Sequence, residues 1–379
     1  MKVKLIDIDN RLAIKYDKTE GIFKWSDDNA YPQLIKSLIG SSVTAKNCVD
    51  INSKYIYGKG FSFAGNSSIV NKKGLSLNKL FRQASREFSE QNNLFFHVNY
   101  NALYQITSVE LISCSEARIG KSDSTGYSGK IIVYDNWDKS RGKKVEKKDF
   151  ELFDIFNPNP SVIEAQVEAV GGWNKYKGQI LHVTSDFNDV YSLSDGDSVI
   201  YDMNAEFKAS VFKEAALRRG NFGSKIFITK PFSDDYERKD FDKTIQNLLG
   251  VENTNGVLTL EANNVSDNLD EQFIIKNLDS DFDDQKVAYT ETSSAKKIMQ
   301  AFGVHPILIG NDDSATLFGN SGELYKQAQI THWNNKEEER AIIVEAFETI
   351  FSKWHEPINP ANDWTITSII ALESNATDN

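Results

Sequence analysis

The chain has 379 residues, 40% of them hydrophobic and 11% aromatic, with 43 basic against 54 acidic side chains and a net charge of −11. That length admits more than one domain at ~100–200 residues each, and the apolar fraction excludes disorder throughout. An acidic chain is not built to grip a nucleic-acid backbone broadly, because tight binders neutralise phosphates with Lys and Arg; a protein that lets nucleic acid pass without holding it stays open. The two cysteines, Cys48 and Cys114, form no Cys-x-x-Cys spacing, which argues against structural zinc and thiol chemistry and predicts two buried small hydrophobes. The charged opening, Met1 to Asp7, does not read as a signal peptide. No run approaches the ~20 apolar residues of a membrane span, so a soluble, intracellular protein is expected.

Taken in order, Val3 to Ile8 and Leu12 to Ile14 flank Asp9-Asn10 and predict a hairpin. Trp25-Ser26-Asp27-Asp28-Asn29-Ala30-Tyr31-Pro32 is a turn-rich approach to a helix over Gln33–Ile39. Gly40-Ser41-Ser42 breaks that helix, and Ser42 can cap the next, in which Val43, Cys48, Ile51 and Tyr55 share a face before Tyr57-Gly58-Lys59-Gly60-Phe61 ends it. A third helix spans Leu77 to Gln91, with Leu80, Phe81, Ala84 and Phe88 on one side. Residues 94–183 read mostly as strands, with a basic run, Lys139 to Lys148, as an exposed hairpin tip. Asn157-Pro158-Asn159-Pro160 is a turn before Val162–Val167.

A helix from about Ser198 carries Met203, Phe207, Val211 and Phe212 and ends at Leu217-Arg218-Arg219-Gly220-Asn221. A small βαββ module follows: Lys225–Lys230, a helix near Asp234–Leu249, Val257–Ala262 and Gln272–Lys276. After an acidic segment, a helix places Ala295, Ile298, Met299 and Phe302 on one face and stops at Gly303 and Pro306. Ile307 to Ile309 form an apolar anchor. The stretch Gly310 to Gly322 is polar, and a loop this long between helices is usually functional or disordered. A helix then runs from Ser321 to Trp354, hydrophilic first and strongly apolar on one face later, a pattern that predicts two environments or a bend. Trp364 to Ile370 reads as a final strand.

Signals for chemistry are weak. Gly120-Lys121-Ser122 lacks the glycine five residues earlier that a phosphate loop needs. Gly58-Lys59-Gly60 reaches Phe63 where a dinucleotide fingerprint needs its third glycine. Ser321 in Gly319-Asn320-Ser321-Gly322-Glu323 fits a helix cap better than a nucleophile elbow. His97, His182, His305, His332 and His355 show no ligand spacing, and His97 and His182 read as satisfied sheet residues. Asp312-Asp313 lacks the repeat of a calcium loop. No catalytic residue, metal site or cofactor is assigned, and a non-enzyme is expected.

Three stretches in this order resemble the portal (head–tail connector) proteins of tailed bacteriophages: Trp25–Pro32 with the Val43–Gly60 helix; the Ala205–Arg219 helix with Asn221-Phe222-Gly223 and the βαββ module; and Ile298-Met299-Gln300-Ala301-Phe302-Gly303-Val304-His305-Pro306-Ile307-Leu308-Ile309-Gly310. The resemblance implies an α+β portal-like fold: a mixed α/β wing at 1–197, a stem helix at 198–222, a small α/β clip at 223–277 and a second stem helix at 278–303. It further implies a tunnel loop at 304–320, a long kinked tunnel helix at 321–356 returning to the wing, and a C-terminal strand and tail at 357–379 with a crown small or absent.

By the same resemblance the chain would form a homo-oligomeric ring, a dodecamer, at the capsid vertex of a virion assembled in a bacterial host cytoplasm. Double-stranded DNA would pass non-specifically through its channel during packaging and ejection, without membrane. Terminase large subunit, head–tail adaptor, capsid and scaffold proteins would be its partners. Asn311, Asp312, Asp313, Ser314, Ala315, Thr316, Leu317 and Phe318 would form the loop facing DNA or a neighbouring subunit, with the apolar Leu317 and Phe318 favouring the neighbour. Lys208, Lys213, Arg218, Arg219, Lys225 and Lys230, six basic residues against Glu206 and Glu214, give 205–230 a local charge of +4. This basic stem/clip band is expected to touch DNA transiently or pair with acidic residues of the next subunit. Two other readings are another phage or prophage structural protein of the head–tail junction and an enzyme with an unrecognised acid/base pair.

Overall fold

The computed structural model describes residues 14–18, 20–121, 129–135, 137, 147–186, 190–218, 225–229, 232, 234–249, 257–261, 274–277, 284–310 and 321–370. They fall into two compact units, one of Met1–Met203 with Ala295–Asn379 and one of Asn204–Ser294.

The first unit opens on a hairpin, β1 (Lys15–Asp17) and β2 (Ile22–Lys24). It starts beyond the expected Val3–Ile14 pairing, of which residues 1–13 lie outside the described residues. Helix α1 (Tyr31–Ser41) buries Tyr31, Pro32, Ile35 and Ile39. Ser42 caps α2 (Val43–Tyr57) as expected, its hydroxyl accepting from the Ala45 N–H at 3.0 Å. Helix α3 (Leu77–Gln91) has the predicted bounds.

Six strands then form one sheet: β3 (Asn93–Tyr100), β4 (Ile106–Ile112), β5 (Ala117–Ile119), β6 (Lys130–Val133), β7 (Glu151–Ile155) and β8 (Gln179–Thr184), in the order β4-β3-β8-β7-β6-β5. All neighbours are antiparallel except β7 and β8. A parallel pair needs a crossover, and α4 (Pro160–Val170) connects the two strands. The sequence pattern placed Val162–Val167 among strands. The local chemistry decides for helix: Asn159 accepts from the Ser161 N–H, Pro160 sits at the first turn, and Gly171 ends the helix at φ 86°. The tip of the basic run lies outside the described residues, between β6 and β7.

The sheet separates two large hydrophobic cores, and a smaller third cluster gathers Ile22, Ile132, Tyr134 and Trp137. Phe95 and Ile180 point to one, with α1, Cys48, Val49, Cys114, Ile298 and Phe302. Leu94, Phe96 and Val98, alternate residues of β3, point to the other with α3. Each such fully buried side chain contributes roughly 1.5–3 kcal/mol. Helix α2 takes part in both, through Ala45, Cys48 and Val49 on one side and Ile56 on the other. Both cysteines are buried thiols outside any disulfide.

A 3-10 turn (Asp195–Val199) leads into α5 (Ile200–Arg218), whose Ile200 and Met203 belong to the first core. The rest of α5 lies in the second unit, which holds the expected βαββ module: β9 (Lys225–Thr229), α6 (Asp235–Leu249), β10 (Val257–Glu261) and β11 (Ile274–Asn277), in the order β10-β9-β11. Strand β10 is parallel to β9 across α6, and β11 is antiparallel.

Helix α7 (Asp284–Ala301) returns to the first unit, followed by α8 (Pro306–Ile309). Two helices, α9 (Ser321–Asn335) and α10 (Glu337–Phe351), stand where one long, kinked helix was expected. They break at Lys336, whose N–H is shared between the His332 and Trp333 carbonyls at 3.2 and 3.3 Å. The break falls near the predicted change of character: α9 exposes Leu324, Tyr325 and Ile330, while α10 sends Ile343, Phe347 and Ile350 into the second core. The expected last strand is instead an extended segment with a single bridge, Phe61 to Ile366. Its backbone bonds run between Thr365 or Thr367 and Lys59–Ser62. Among the described residues no helix is long and apolar enough to cross a membrane.

Candidate functional site

Each resembling stretch has a physical task. In the first, Trp25 stacks on Tyr191 at 4.2 Å and on Tyr31 at 6.1 Å. Asn29, at φ 58°, turns its side chain and carbonyl onto Arg118 of β5. Arg118 is fully buried. Its Nε donates to Asn29 Oδ1 at 2.6 Å, Nη2 to Asn29 O at 2.8 Å, and Nη1 to the Cys114 and Ala117 carbonyls at 2.9 and 2.7 Å. The rings of Trp25 and Trp137 lie 5.7 and 5.5 Å from its guanidinium carbon. Burial pushes its pKa down to about 10, so it stays charged at neutral pH, held by oxygens and π-faces. Sequence reasoning missed Arg118; no motif marks a buried arginine whose partners are carbonyls.

In the third stretch, Gly303 ends α7 at φ 64°, and the Val304 N–H donates back to Met299 O at 2.9 Å. His305 accepts from the Ile307 N–H at 3.3 Å, Pro306 opens α8, and Gly310 closes it at φ 76°. The Phe-Gly-Val-His-Pro run is therefore a stop and a restart, with Phe302 buried in the core.

The residues that follow are the expected loop. Asn311, Asp312, Asp313, Ser314, Ala315, Thr316, Leu317 and Phe318 lie outside the described residues. Ser321 is the first residue of α9. What holds the segment's two sides is described: Asn52 and Tyr55 of α2 meet Phe302 at the end of α7 and His332 of α9. His332 is 2% exposed, and burial pushes its pKa down to about 4. The nearby Lys336 pushes the same way, while a bond to the Gly303 backbone and the Glu339 charge oppose it.

Of the basic band, Lys208 is exposed on α5, and Lys213 pairs with Glu291 of α7 in the same chain. Spaced by five residues, the two point to different sides of the helix. Arg218 ends α5 and Lys225 opens β9, without described side chains; Arg219 and Lys230 lie outside the described residues. More conspicuous on α5 is an apolar group that helical periodicity alone does not single out. Phe207, Val211 and Phe212 are 43%, 48% and 51% exposed.

The glycine motifs also have backbone roles. Gly58 and Gly60 sit at φ 61° and 89°, and a Cβ on Gly58 would lie 2.5 Å from Thr367 O. Gly120 lies in the sheet, bridged to Ile22. His97 donates to the Lys177 carbonyl at 2.6 Å, and His182 bonds Asn93 at 3.1 Å, as satisfied sheet residues do. Among the described residues no group of three His, Cys, Asp or Glu could hold a metal ion.

No protein-family model and no curated protein matches the sequence. The fold does have solved counterparts. A chain in the neck of the native gene transfer agent particle, computed with C12 symmetry, matches over 86% of this chain and 82% of its own, with TM-score 0.53 at 15% identity. A chain of the native gene transfer agent virion matches over 84% and 81%, with TM-score 0.52 at 15% identity. Alongside the portal resemblance in the sequence, this decides the architecture. The chain has a phage portal-type fold. The portal-type architecture is mixed α+β, with the six-stranded sheet as its largest element. A looser likeness, TM-score 0.38 at 8% identity over 76% and 82% of the two chains, is to an HK97 family phage portal protein from Corynebacterium diphtheriae; that score is too low to bear on the fold.

Proposed function

We propose that this chain is a portal protein: a ring-forming structural component of a phage particle and a passive conduit for double-stranded DNA, rather than an enzyme. The observation that carries the reading is the fold likeness, across more than four-fifths of both chains, to a protein from a particle neck with C12 symmetry. In this reading 1–197 forms the wing, 198–222 and 278–303 the stem helices, 223–277 the clip, and 321–356 the long kinked helix that returns to the wing. The segment 311–320 is the tunnel loop that meets DNA or the next subunit. Terminase and a head–tail adaptor would dock on the ring, which is assembled with capsid and scaffold proteins in the bacterial host and ends up in the virion.

Two features support it. The net charge of −11 disfavours tight capture of phosphates, which a sliding duplex requires. The exposed Phe207 and Val211 give α5 an apolar face suited to a second copy. Native mass spectrometry and negative-stain imaging under capsid-assembly conditions test the proposal. Rings of about twelve copies are expected, given the twelvefold symmetry of the matched particle neck. A compact monomer or dimer that no assembly condition converts to rings would overturn it.

A further inference from the structure

One helix fastens both sides of the 311–320 segment. On the near side, Asn52 Nδ2 of α2 donates to Phe302 O at 3.0 Å, with both residues buried. On the far side, the Tyr55 ring meets the His332 ring edge-on at 4.7 Å, and the Tyr55 hydroxyl bonds Gln329 of α9. The Tyr55 carbonyl accepts from Arg340 Nη1 of α10 at 3.3 Å, and Arg340 lies 3.9 Å over the Trp333 ring. His332 closes the circuit through its bond to the Gly303 backbone. Two adjacent residues at the end of α7 are thus tied, one by α2 and the other by α9. The last carbonyls of a helix have no partner within it, so these bonds complete what α7 leaves open.

Packing alone does not account for the choice of residues. Among the described residues, Asn52 Oδ1 and His332 Nε2 are buried without a hydrogen-bond partner. A leucine and a phenylalanine would fill similar space without stranding a polar atom. Each polar side chain is kept here for the one bond it does make.

We infer that Asn52 and His332 are positioning residues, which lock the end of α7 and the body of α9 to α2 as one joint. The placement of α8 is then set by α2 and not by the polar chain that follows it. This inference concerns the single chain and does not need ring assembly, so it stands or falls separately from the portal reading.

Hydrogen–deuterium exchange on the full chain tests it, read at residues 302–310, at α9, and at β3 as reference. The protected amides of Phe302, Val304, Leu308 and Gly310 report the joint. His332→Phe keeps a ring against Tyr55 but removes the donor. Asn52→Leu removes the other donor. Each should speed exchange at 302–310 by about tenfold or more and leave β3 unchanged. Because both act on one turn, the double variant should exchange no faster than the quicker single variant. His332→Gln, which retains an N–H, should restore much of the protection. Effects of His332→Phe confined to α9, a double variant whose acceleration is the product of the two, or an equal rise in β3 would each overturn the inference. Where Asn52→Leu yields no folded protein, Asn52→Ser, too short to reach Phe302, carries the same comparison.

Discussion

Helix α5 behaves differently in the two units. At its start Ile200 and Met203 are buried in the core beneath the six-stranded sheet. Further along, Phe207, Val211 and Phe212 stand in solvent. The helix is apolar on several sides, and part of that surface is exposed. The first unit is stabilised by its own hydrophobic cores and by buried polar ties such as Arg118. The second carries the exposed Phe207 and Val211 on α5, and exposed apolar groups of this kind commonly mark interaction sites.

The largest test of that contrast is Arg118→Met. It would leave the Asn29 side chain and the Cys114 and Ala117 carbonyls without their charged donor. The expected loss is about 3–5 kcal/mol of stability, seen as a lower urea midpoint. Arg118→Lys should recover little, since a point charge cannot serve four acceptors in a plane.

Acid should weaken the first unit next. Burial holds His182 and His332 neutral, with pKa values pushed down to about 4. The unfolded chain therefore takes up protons first as pH falls through about 6.5, and stability present above that value is lost on the way to 4. Each histidine should cost about 2 kcal/mol between pH 7 and pH 5. Replacing His182 by Phe should flatten the pH dependence of the urea midpoint by that amount; an unchanged slope would contradict the assignment.

The exposed face of α5 should respond in the opposite way. The double change Phe207→Ser and Val211→Ser should alter the stability of the single chain by less than about 1 kcal/mol. Rings should nevertheless disappear from negative-stain images. Stability lost with assembly intact would mean that the face is ordinary internal surface. The smallest effect is expected for Lys213→Ala. It removes a partly exposed pair with Glu291 and should cost under about 1 kcal/mol, less in high salt.

The sequence showed most elements because their periodicity and punctuation were local. Ser42, Gly58 and Gly303 announced their helix ends, and the alternation of Phe96, Val98 and Tyr100 announced β3. It misled where a local signal competed with pattern. Pro160 behind Asn159 makes α4 a helix within a stretch that otherwise reads mostly as strands. At Lys336 the residues mark a change of character but not the shared hydrogen bond that ends α9. The functional reading rested on the order of motifs, and the structure explains those motifs as turns and caps. Arg118 and the Asn52–His332 joint were hidden because their partners lie 89 residues away in one case and 250 in another. Carbonyl partners leave no residue-type signature at either place.

Helix α2 has a consequence for how the first unit comes apart. Its residues belong to the cores on both faces of the sheet, so neither core can dissolve while the other keeps the helix in place. The two faces should melt as one cooperative transition, with calorimetric and van't Hoff enthalpies in agreement across that unit. A sheet that carries two hydrophobic layers thereby behaves thermally as if it had one.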